Sequence, residues 1–304
     1  MIHHVFANRS NIGDWLAARA LQRLAGHGPV VEHLCDEPFV PQTLARLRRV
    51  KPNDFVLIGG GGLFTKYFEP LWEGFESIAA RVPFAIVGVG CCDFTWTNSQ
   101  PSWPRVASIV HASRICTVRD ALTRSYLAPC VVPPPVACPS LTVVRARPPG
   151  WGVLHVDSYD VVGADIYQYM GDVARRMATE SGRPFRRTNN LIQAGSETAL
   201  AATLDLYAQS DIVVSSRLHG CVIGLAMGRS VVAVAGDRKV EAFMREAGLA
   251  DWVLDLSEIE RLYERLEAAS TQPRPRAFLA RARRQNRAVA ARVDRVLREL
   301  DAVG

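Results

Sequence analysis

Residues 211–220 read DIVVSSRLHG, and a further apolar run follows them. The apolar segments predict a buried strand, Asp211–Ser215, that passes directly into a helix, Leu218–Met227. The polar turn between them places Arg217 and His219 where a helix N-terminus presents free N–H groups and the positive end of its dipole. This pattern predicts a βα unit of a parallel sheet, with an anion site at its turn.

Each polar residue of this turn also has a purely structural interpretation. Ser216 could cap the helix, Arg217 could form an ion pair, and His219 could be a hydrogen-bonded histidine of the core. An arginine and a histidine together at the carboxyl end of a strand favour a functional site, because ligands of open α/β sheets bind at that edge.

Short β-branched runs alternate with helical patterns along the rest of the chain. Strands separated by helices indicate a parallel sheet covered on both faces, and a proline-rich stretch at residues 133–150 interrupts the pattern. We therefore predict two doubly wound Rossmann-like α/β domains, residues 1–147 and 148–304. The predicted strands are Ile2–Ala7, Val30–Leu34, Phe55–Gly59, Phe84–Gly90, Arg114–Val118, Gly152–Val156, Asp211–Ser215, Val231–Ala235 and Trp252–Leu256. The predicted helices include Trp15–Ala25, Leu71–Ala80, Ile166–Thr179 and Leu218–Met227.

Charge and cysteine usage restrict the class of protein. The net charge of +6 suggests an anionic partner, such as a phosphorylated substrate, a lipid-phosphate headgroup or nucleic acid. The 7 cysteines show no C-x-x-C spacing, which indicates reduced thiols rather than disulfides or a zinc site. No apolar stretch approaches the roughly 20 residues that span a bilayer, and no secretory signal begins the sequence. We expect a cytoplasmic protein.

The turns after the first and third predicted strands also carry unusual clusters. In the first turn, Asn11 precedes Asp14, whose carboxylate could cap the following helix or point into the cleft between the domains. In the second, four glycines at residues 59–62 would let the amides of Gly60 and Gly61 approach a ligand closely. The same glycines could form only a tight turn, and they match neither the Walker A nor the dinucleotide-binding pattern.

Arg119 and Asp120 directly follow the fifth predicted strand. Because the carboxyl ends of the strands share one edge of the sheet, Arg119 is placed to meet an anion across the cleft from Arg217. The alternative is an ion pair between Arg119 and Asp120 on the surface, which would contribute little to stability or function.

The ordered set of these turns resembles the polysaccharide pyruvyl transferase family. The most specific match is SRLHG at residues 216–220, which is similar to a signature of that family. The other matching segments are NIGD at 11–14, GGGG at 59–62, VRD at 118–120 with Ser125, Lys239, and AGL at 247–249. The resemblance spans about residues 8–256. One departure is Cys138-Pro139, where many members have Asp-Pro, so the role of that aspartate does not carry over.

The resemblance implies a fold like the two-domain GT-B glycosyltransferases, with phosphoenolpyruvate as co-substrate and donor. The implied product is a pyruvate ketal on a glycan or a lipid-linked saccharide, and we expect neither a cofactor nor a metal. The residues expected to bind substrate are Asn11, Gly60, Gly61, Arg119, Ser216, Arg217, Leu218 and Lys239. The residues expected to act in catalysis are His219, as the acid–base group, and Asp14 and Asp120, as partners of acceptor hydroxyls or of the imidazole.

The tail from Pro273 onward is rich in arginine and predicts a helix with one apolar face. Its apolar positions are Phe278, Leu279, Val289, Val293, Val296 and Leu297. The arginines could hold the protein at anionic lipids of the inner membrane face, or near a lipid-diphosphate-linked acceptor. They could equally form only a solvated face.

Three other functions are compatible with parts of the pattern. One is a GT-B glycosyltransferase that uses a sugar nucleotide, and another is a non-catalytic glycan- or phosphate-binding relative of the same fold. Nucleic-acid binding is compatible with the basic tail alone. We expect no nucleic-acid partner, because the tail lacks interleaved aromatic residues and no recognised nucleic-acid-binding motif occurs.

Overall fold

The computed structural model of the protein describes residues 1–26, 29–94, 97–128, 135–157 and 159–303. Cys130 and residues 133–134, which entered the sequence analysis, lie outside these ranges. The described chain forms two five-stranded parallel sheets with helices between the strands. This arrangement confirms the predicted pair of doubly wound α/β sheets.

The first sheet is built from the first half of the chain. Its strands are β1 Ile2–Phe6, β2 Val30–Leu34, β3 Phe55–Gly59, β4 Phe84–Val89 and β5 Ile115–Val118. The helices that follow the strands are α1 Ile12–Ala25, α2 Val40–Leu47, α3 Glu69–Ala79, α4 Trp103–Ala112 and α5 Ala121–Leu127. The strand order is β2-β1-β3-β4-β5.

The second sheet repeats this plan. Its strands are β6 Val153–Val156, β7 Phe185–Thr188, β8 Ile212–Ser215, β9 Ser230–Ala235 and β10 Val253–Asp255. Its helices are α6 Tyr159–Val162, α7 Ala164–Glu180, α8 Glu197–Ala208, α9 Leu218–Ala226, α10 Arg238–Glu246 and α11 Leu262–Glu267, with α12 Arg276–Val303 at the end. The strand order is β10-β9-β8-β6-β7. Short 3₁₀ turns lie at Lys66–Phe68, Pro139–Thr142, Ala250–Trp252, Leu256–Arg261 and Ala268–Thr271.

Burial explains why most strands could be recognised from sequence. β4 and β9 are buried at every position, because helices cover both faces of a parallel sheet and its strands are therefore continuous apolar runs. β7 is the exception, since it reads FRRT, lies at the sheet edge and is only partly buried. An edge strand of this composition carries no apolar signal, and the sequence analysis missed it.

Both sheets reverse their direction of winding at an equivalent place. In the first sheet the reversal lies between β1 and β3, and in the second it lies between β6 and β8. A crevice opens at such a point, beyond the carboxyl ends of the two strands, and ligands of doubly wound folds bind there. The turns that follow β1, β3, β6 and β8 are therefore the places to look for a site.

The two halves meet at these same edges. The Ile12 amide donates to the carbonyl oxygen of Asn190 (3.0 Å), and the Ile192 amide donates to that of Ser10 (2.8 Å). On the other side of the cleft, the Asp93 amide donates to Oδ1 of Asp237 (3.1 Å). These bonds hold the carboxyl edges of the two sheets face to face.

The last helix, α12, belongs to both halves. Phe278, near its start, lies in the core around the second sheet, whereas Val289 and Val293 pack with Ile2 and Leu21 against the first. This packing confirms the predicted apolar face. The domain limits 1–147 and 148–304 stay a prediction, because the chain returns to the first sheet at its end.

Within the described ranges, no helix combines the length and the apolar character needed to cross a bilayer.

Candidate active site

A cavity of about 430 Å³ lies between the two carboxyl edges. Its walls come from the turns after β1, β2, β3, β4 and β5 and from those after β8 and β9. Eight of the eleven residues predicted for the site line it, namely Asn11, Asp14, Arg119, Ser216, Arg217, Leu218, His219 and Lys239. The structure thus brings together residues that are far apart in the chain.

Arg217 occupies the N-cap position of α9, and the turn around it is tightly held. Its amide donates to Ser215 Oγ (3.0 Å), and its Nε donates to the carbonyl oxygen of Asp157 (2.7 Å). The N-cap residue of α9 is Arg217 and not Ser216, and Arg217 makes no side-chain cap bond. The buried Oγ of Ser216 has no hydrogen-bond partner in the described part of the chain, so a donor and acceptor of hydrogen bonds is available at the cavity wall.

Arg119 reaches the cavity from the opposite half, with only 4% of its surface exposed. Its Nε donates to Oδ2 of Asp120 (3.2 Å), and its Nη2 donates to the carbonyl oxygen of Cys91 (3.3 Å). Gly90 leaves room for the guanidinium, because a Cβ there would lie 2.2 Å from Nη2. The ion pair with Asp120 is therefore buried, not the surface pair considered as the alternative.

Asp120, predicted as a residue of the reaction, is not among the residues that line the cavity. Its Oδ1 caps α5 by accepting bonds from the amide (2.7 Å) and the hydroxyl (2.6 Å) of Thr123, and its Oδ2 accepts from Arg119. Both oxygens are thus occupied within the first half of the chain. We assign Asp120 to the positioning of the Arg119 guanidinium.

Lys239 brings a third positive charge to the cavity. It lies in the first turn of α10, whose N-cap is Asp237. Its Nζ is 2.6 Å from Oδ2 of Asp237 and donates to the Cys92 sulfur at 2.9 Å. Burial raises the pKa of the Cys92 thiol, so that thiol is neutral, and the ammonium group at the cavity wall is paired with the Asp237 carboxylate.

His219 is buried between the two halves. Its Nε2 lies 3.6 Å from the sulfur of Cys138, and a Cβ on Gly13 would lie 2.0 Å from its Nδ1. Burial, followed by the charges of Arg119, Lys239 and Arg217, lowers the pKa of His219 to about 3. Cys138, the residue that departs from the Asp-Pro pattern of many family members, thus lies beside the imidazole. An acidic side chain at this position would favour the imidazolium, whereas Cys138 supplies a thiol.

Asp14 lies in the first turn of α1 and lines the cavity. It does not cap the helix, because Asn11 does so by accepting a hydrogen bond from the Gly13 amide (3.0 Å). Burial raises the pKa of Asp14 to about 6, and the charges of Arg119 and Lys239 oppose that rise. A carboxyl group of this kind can exchange a proton near neutral pH.

Gly60 and Gly61, predicted as ligand contacts, are not among the residues that line the cavity. Their φ angles are 90° and 102°, so only glycine adopts this backbone without strain. A Cβ on Gly61 would lie 2.6 Å from Oδ1 of Asp14, and one on Gly60 would lie 3.0 Å from the Ala18 amide nitrogen. The glycines therefore make room for α1 and for the Asp14 carboxylate.

Four further lining residues were not predicted from the sequence, namely Asn8, Asp36, Tyr67 and Phe68. They form the polar end of the cavity. Asp36, after β2, accepts hydrogen bonds from Asn8 Nδ2 (2.9 Å) and from the Tyr67 hydroxyl. Tyr67 is 51% exposed, and its ring contacts Phe68 edge-on at 4.9 Å between centroids. All four side chains line the cavity. Asp36 follows a predicted strand end, so the rule that found the other turns could have found it.

Sheet order separates this polar end from the positive end. Asp36 follows β2 at one margin of the first sheet, and Arg119 follows β5 at the other. Strands lie about 4.8 Å apart, so four spacings put these strand ends roughly 19 Å from each other. Arg119, with the other cations and the imidazole, and Asp36, with Tyr67, thus belong to strand ends far apart in the sheet. We call these the positive end and the polar end of the cavity.

The sequence matches the family model of the polysaccharide pyruvyl transferases over residues 11–238. No curated protein shows a significant match to it. The matched range includes every residue of the positive end except Lys239, which follows it by one position.

Solved structures agree in fold across the whole chain. The UDP-GlcNAc 2-epimerase of Methanocaldococcus jannaschii, in complex with UDP-GlcNAc and UDP, is 9% identical and has a TM-score of 0.60, with 99% of both chains covered. The epimerase of Neisseria meningitidis, bound to UDP-GlcNAc, is 12% identical with a TM-score of 0.59 and full coverage of both chains. An uncharacterized protein of Klebsiella pneumoniae is 15% identical with a TM-score of 0.53, covering 84% of this chain and 92% of that chain. At these identities the likeness concerns the fold alone, which is two-domain and GT-B-like.

Proposed function

The chain belongs to the polysaccharide pyruvyl transferase family, and from that premise we propose that it transfers the enolpyruvyl group of phosphoenolpyruvate to a pair of sugar hydroxyls. The product is a pyruvate ketal on a glycan or glycolipid precursor, and phosphate is released. The observation that supports this donor is the convergence of Arg119, Arg217 and Lys239 beside His219 in one cavity. Phosphoenolpyruvate carries a carboxylate and a phosphate, and two guanidinium forks with an ammonium group match both.

The donor is held from both halves of the protein. Arg119, fixed by Asp120, approaches from the first sheet, and Arg217 and Lys239 approach from the second. The unpaired hydroxyl of Ser216 and the free amides at the start of α9 add hydrogen-bond donors to the same end. Closure of the halves on a donor would thus bring its phosphate and carboxylate against opposite walls.

His219 then supplies the proton on which the reaction depends. Its low pKa makes the imidazole neutral before the donor binds, and a bound phosphate dianion raises that pKa again. The imidazolium gives its proton to the methylene carbon of the donor, which becomes a methyl group, while positive charge develops on the neighbouring carbon. A sugar hydroxyl attacks that carbon. A second hydroxyl then attacks it as the carbon–oxygen bond to phosphate breaks.

Asp14 is the group we assign to the hydroxyl protons. It lines the cavity, and the charges of Arg119 and Asp36 both act on its pKa. Above its pKa, the carboxylate accepts the proton of an attacking hydroxyl. Of the two protons that the acceptor loses, one replaces the proton spent by His219 and one leaves with phosphate, so the reaction is balanced.

The acceptor sugar lies at the polar end. A sugar presents apolar C–H faces and several hydroxyls, and the half-exposed ring of Tyr67 beside the Asp36 carboxylate offers a surface for each. Asn8, bonded to Asp36, adds an amide at the same place. Two hydroxyls of the sugar then point along the cavity toward Asp14 and the donor.

The direct test is mass spectrometry of saccharide and lipid-linked acceptors incubated with phosphoenolpyruvate, together with a phosphate-release assay. We expect an acceptor that gains pyruvate with loss of water, and one phosphate for each ketal formed. Consumption of a sugar nucleotide, with none of phosphoenolpyruvate, would show the glycosyltransferase alternative to be correct. Binding of saccharide without either reaction would identify a non-catalytic relative.

Replacing Arg217 by alanine is expected to raise the KM for phosphoenolpyruvate at least 30-fold. Truncating one partner of a buried charge pair costs about 2–5 kcal/mol, and tenfold corresponds to about 1.4 kcal/mol. Steady-state kinetics and donor titration by calorimetry measure the change. The matched control is Arg284→Ala on the exposed side of α12, and an equal effect of both variants would contradict the donor assignment.

The Asp14→Asn variant tests the proton acceptor through its pH profile. Because the carboxyl must be ionised to act, kcat/KM of the wild type should rise with pH through about 6, the raised pKa of Asp14. The variant should lose this limb together with most of its activity. A limb that persists in the variant would belong to another group, such as the donor phosphate, and would remove Asp14 from this role.

The Asp14→Asn variant should also differ from the wild type in how its folding stability depends on pH. Since folding raises the pKa of Asp14 from 3.8 to about 6, ionisation of Asp14 lowers the folding stability as pH rises through that interval. The asparagine has no such cost. Thermal unfolding should therefore show the variant gaining on the wild type between pH 4 and pH 7, and a constant difference would count against a buried carboxyl.

Tyr67→Ala is expected to raise the KM for the acceptor about tenfold, because stacking of an aromatic ring contributes about 0.5–1.5 kcal/mol beyond area burial. The KM for phosphoenolpyruvate should stay unchanged. Tyr67→Phe keeps the ring and should retain most of the affinity. Tyr169, an exposed tyrosine outside the cavity, provides the control Tyr169→Ala. A donor defect in Tyr67→Ala would contradict the separation of the two ends.

A further inference from the structure

A second cavity, of about 400 Å³, lies at the amino-terminal ends of the strands of the second sheet. Its walls are the segment before β6, the turn between α9 and β9, and the start of α12. β9 has six residues, and at about 3.3 Å per residue it separates this cavity from the active site by roughly 20 Å. The second cavity is therefore a distinct place, not an extension of the first.

Five arginines line this cavity, and none of its lining residues is acidic. They come from three separate segments, and they are Arg147, Arg229, Arg274, Arg276 and Arg283. Like charges repel one another in the absence of counter-charges. A concentration of positive charge in a concave surface of this kind raises the local concentration of anions.

Arg229 distinguishes the cavity from a solvated basic face. Only 2% of its surface is exposed, and its Nε is buried without a hydrogen-bond partner among the residues that the structure describes. Its Nη2 donates to the carbonyl oxygens of Pro148 (2.8 Å) and Arg147 (3.4 Å), which carry no net charge. A buried guanidinium in this setting is stabilised by an anion.

The nearest acidic group does not neutralise Arg229. Asp211 raises the pKa of Arg229, but burial and the charge of Arg274 outweigh it and lower that pKa. The Asp211 carboxylate already accepts bonds from Arg183 Nε (3.3 Å) and from the Gly152 amide (2.8 Å). The positive charge of the cavity thus remains available to a ligand.

The rest of the wall is apolar. Leu279, Ala280 and Pro149 line it, and Pro275 directly precedes α12. Arg283 is held in place by hydrogen bonds from its Nε to Leu141 O (3.0 Å) and from its Nη2 to Val144 O (3.4 Å). A fixed set of guanidinium forks beside an apolar surface matches a phosphate that carries a hydrocarbon group.

We propose that this cavity binds the phosphate or diphosphate group of an amphiphilic phosphate ester, with the anion on Arg229, Arg147 and Arg274 and the hydrocarbon against Leu279, Ala280 and Pro149. Such a group could come from a soluble ester or from a lipid headgroup at a membrane surface. In either case the start of α12 closes one side of the site. The site would hold the protein near a lipid-linked molecule without taking part in the reaction.

The test uses geranyl diphosphate as a soluble probe, titrated by calorimetry into full-length protein carrying Arg217→Ala, which weakens anion binding in the first cavity. We expect binding at one site, and an affinity at least tenfold lower when Arg147→Gln and Arg274→Gln are added. Both of these residues are exposed and their replacement leaves the core intact. The charge-matched control is Arg284→Gln with Arg292→Gln, two exposed arginines of α12 outside the cavity.

Arg229→Met is a further variant, provided that circular dichroism shows it to be folded. If geranyl diphosphate does not bind, or if the cavity variant binds as tightly as the control variant, the soluble-ester source is wrong. Sedimentation with phosphatidylcholine vesicles, with and without phosphatidylglycerol, then examines the headgroup source with the same variants. Binding that is lost only in the cavity variant supports the proposal from either source, and its absence in both experiments overturns it.

Discussion

Replacing His219 by alanine is expected to lower kcat about 10²–10⁴-fold, the usual contribution of a positioned acid–base group. The KM for phosphoenolpyruvate should change little, because the charges that hold the donor belong to Arg119, Arg217 and Lys239. The imidazole is neutral before the donor binds, since its pKa is about 3, and it gains its proton only beside a bound dianion. Its contribution therefore appears in turnover and not in donor affinity.

The comparison that decides this role is between His219→Ala and Arg217→Ala in the same assays. The first should affect kcat and the second should affect donor binding. Equal and small effects of both would show that neither residue has the role we assign. Calorimetric titration with phosphoenolpyruvate adds a readout without turnover, since His219→Ala should bind the donor almost as the wild type does.

Gly13→Ala should lower kcat by about 100-fold and should also reduce stability, because the new Cβ would lie 2.5 Å from the Cβ of His219 and so meets the base of that side chain as well as its ring. The new Cβ would lie 2.0 Å from Nδ1 of His219, so the imidazole must move. A displacement of about 1 Å in a catalytic group can cost about 100-fold in rate. Steady-state kinetics measures the effect, and thermal unfolding checks that the fold is retained.

Gly171→Ala is the matched control for that variant. Gly171 also lies within a helix and beside a histidine, but its Cβ would lie 3.2 Å from His155 Nδ1 and it does not line the cavity. Alanine is a better helix former than glycine, so this change should leave stability equal or slightly higher. If Gly13→Ala has the full activity of Gly171→Ala, the placement of His219 against Gly13 is incorrect.

Sequence reasoning recovered the fold because parallel strands covered on both faces are continuous apolar runs. β4 and β9 are such runs, and both were located to within one residue. β7, with the sequence FRRT at an exposed edge, carries no such signal. The wrong or missing assignments therefore concern positions where burial does not dictate composition.

The residues predicted for the site line the cavity where a residue type has one dominant use at a strand end. Arg217 and His219 are of this kind, and the structure places both in the cavity. Asp120 is different, because a carboxylate next to an arginine can face a ligand or hold that arginine, and only the hydrogen bonds from Thr123 distinguish the two. Gly60 and Gly61 are ambiguous in the same way. A glycine is needed both where a ligand approaches the backbone and where a helix does, so the residue type does not tell which of the two is present.

The polar end of the cavity depends on information that no local pattern contains. Asp36, Asn8 and Tyr67 lie on three different turns, and they meet because β2, β1 and β3 are neighbours in the sheet. A strand order has to be known before that proximity can be stated. Strand pairing of this kind is a property of the whole fold, and local sequence patterns do not predict it.

The last helix has a mechanical consequence for the whole chain. It starts among the apolar side chains that cover one sheet and ends among those that cover the other, so neither half can lose its structure without exposing residues of this shared segment. Unfolding is then expected to be a single cooperative event, with both halves melting at the same temperature. A variant that ends before Arg276 lacks α12, and its two halves are expected to unfold at different temperatures.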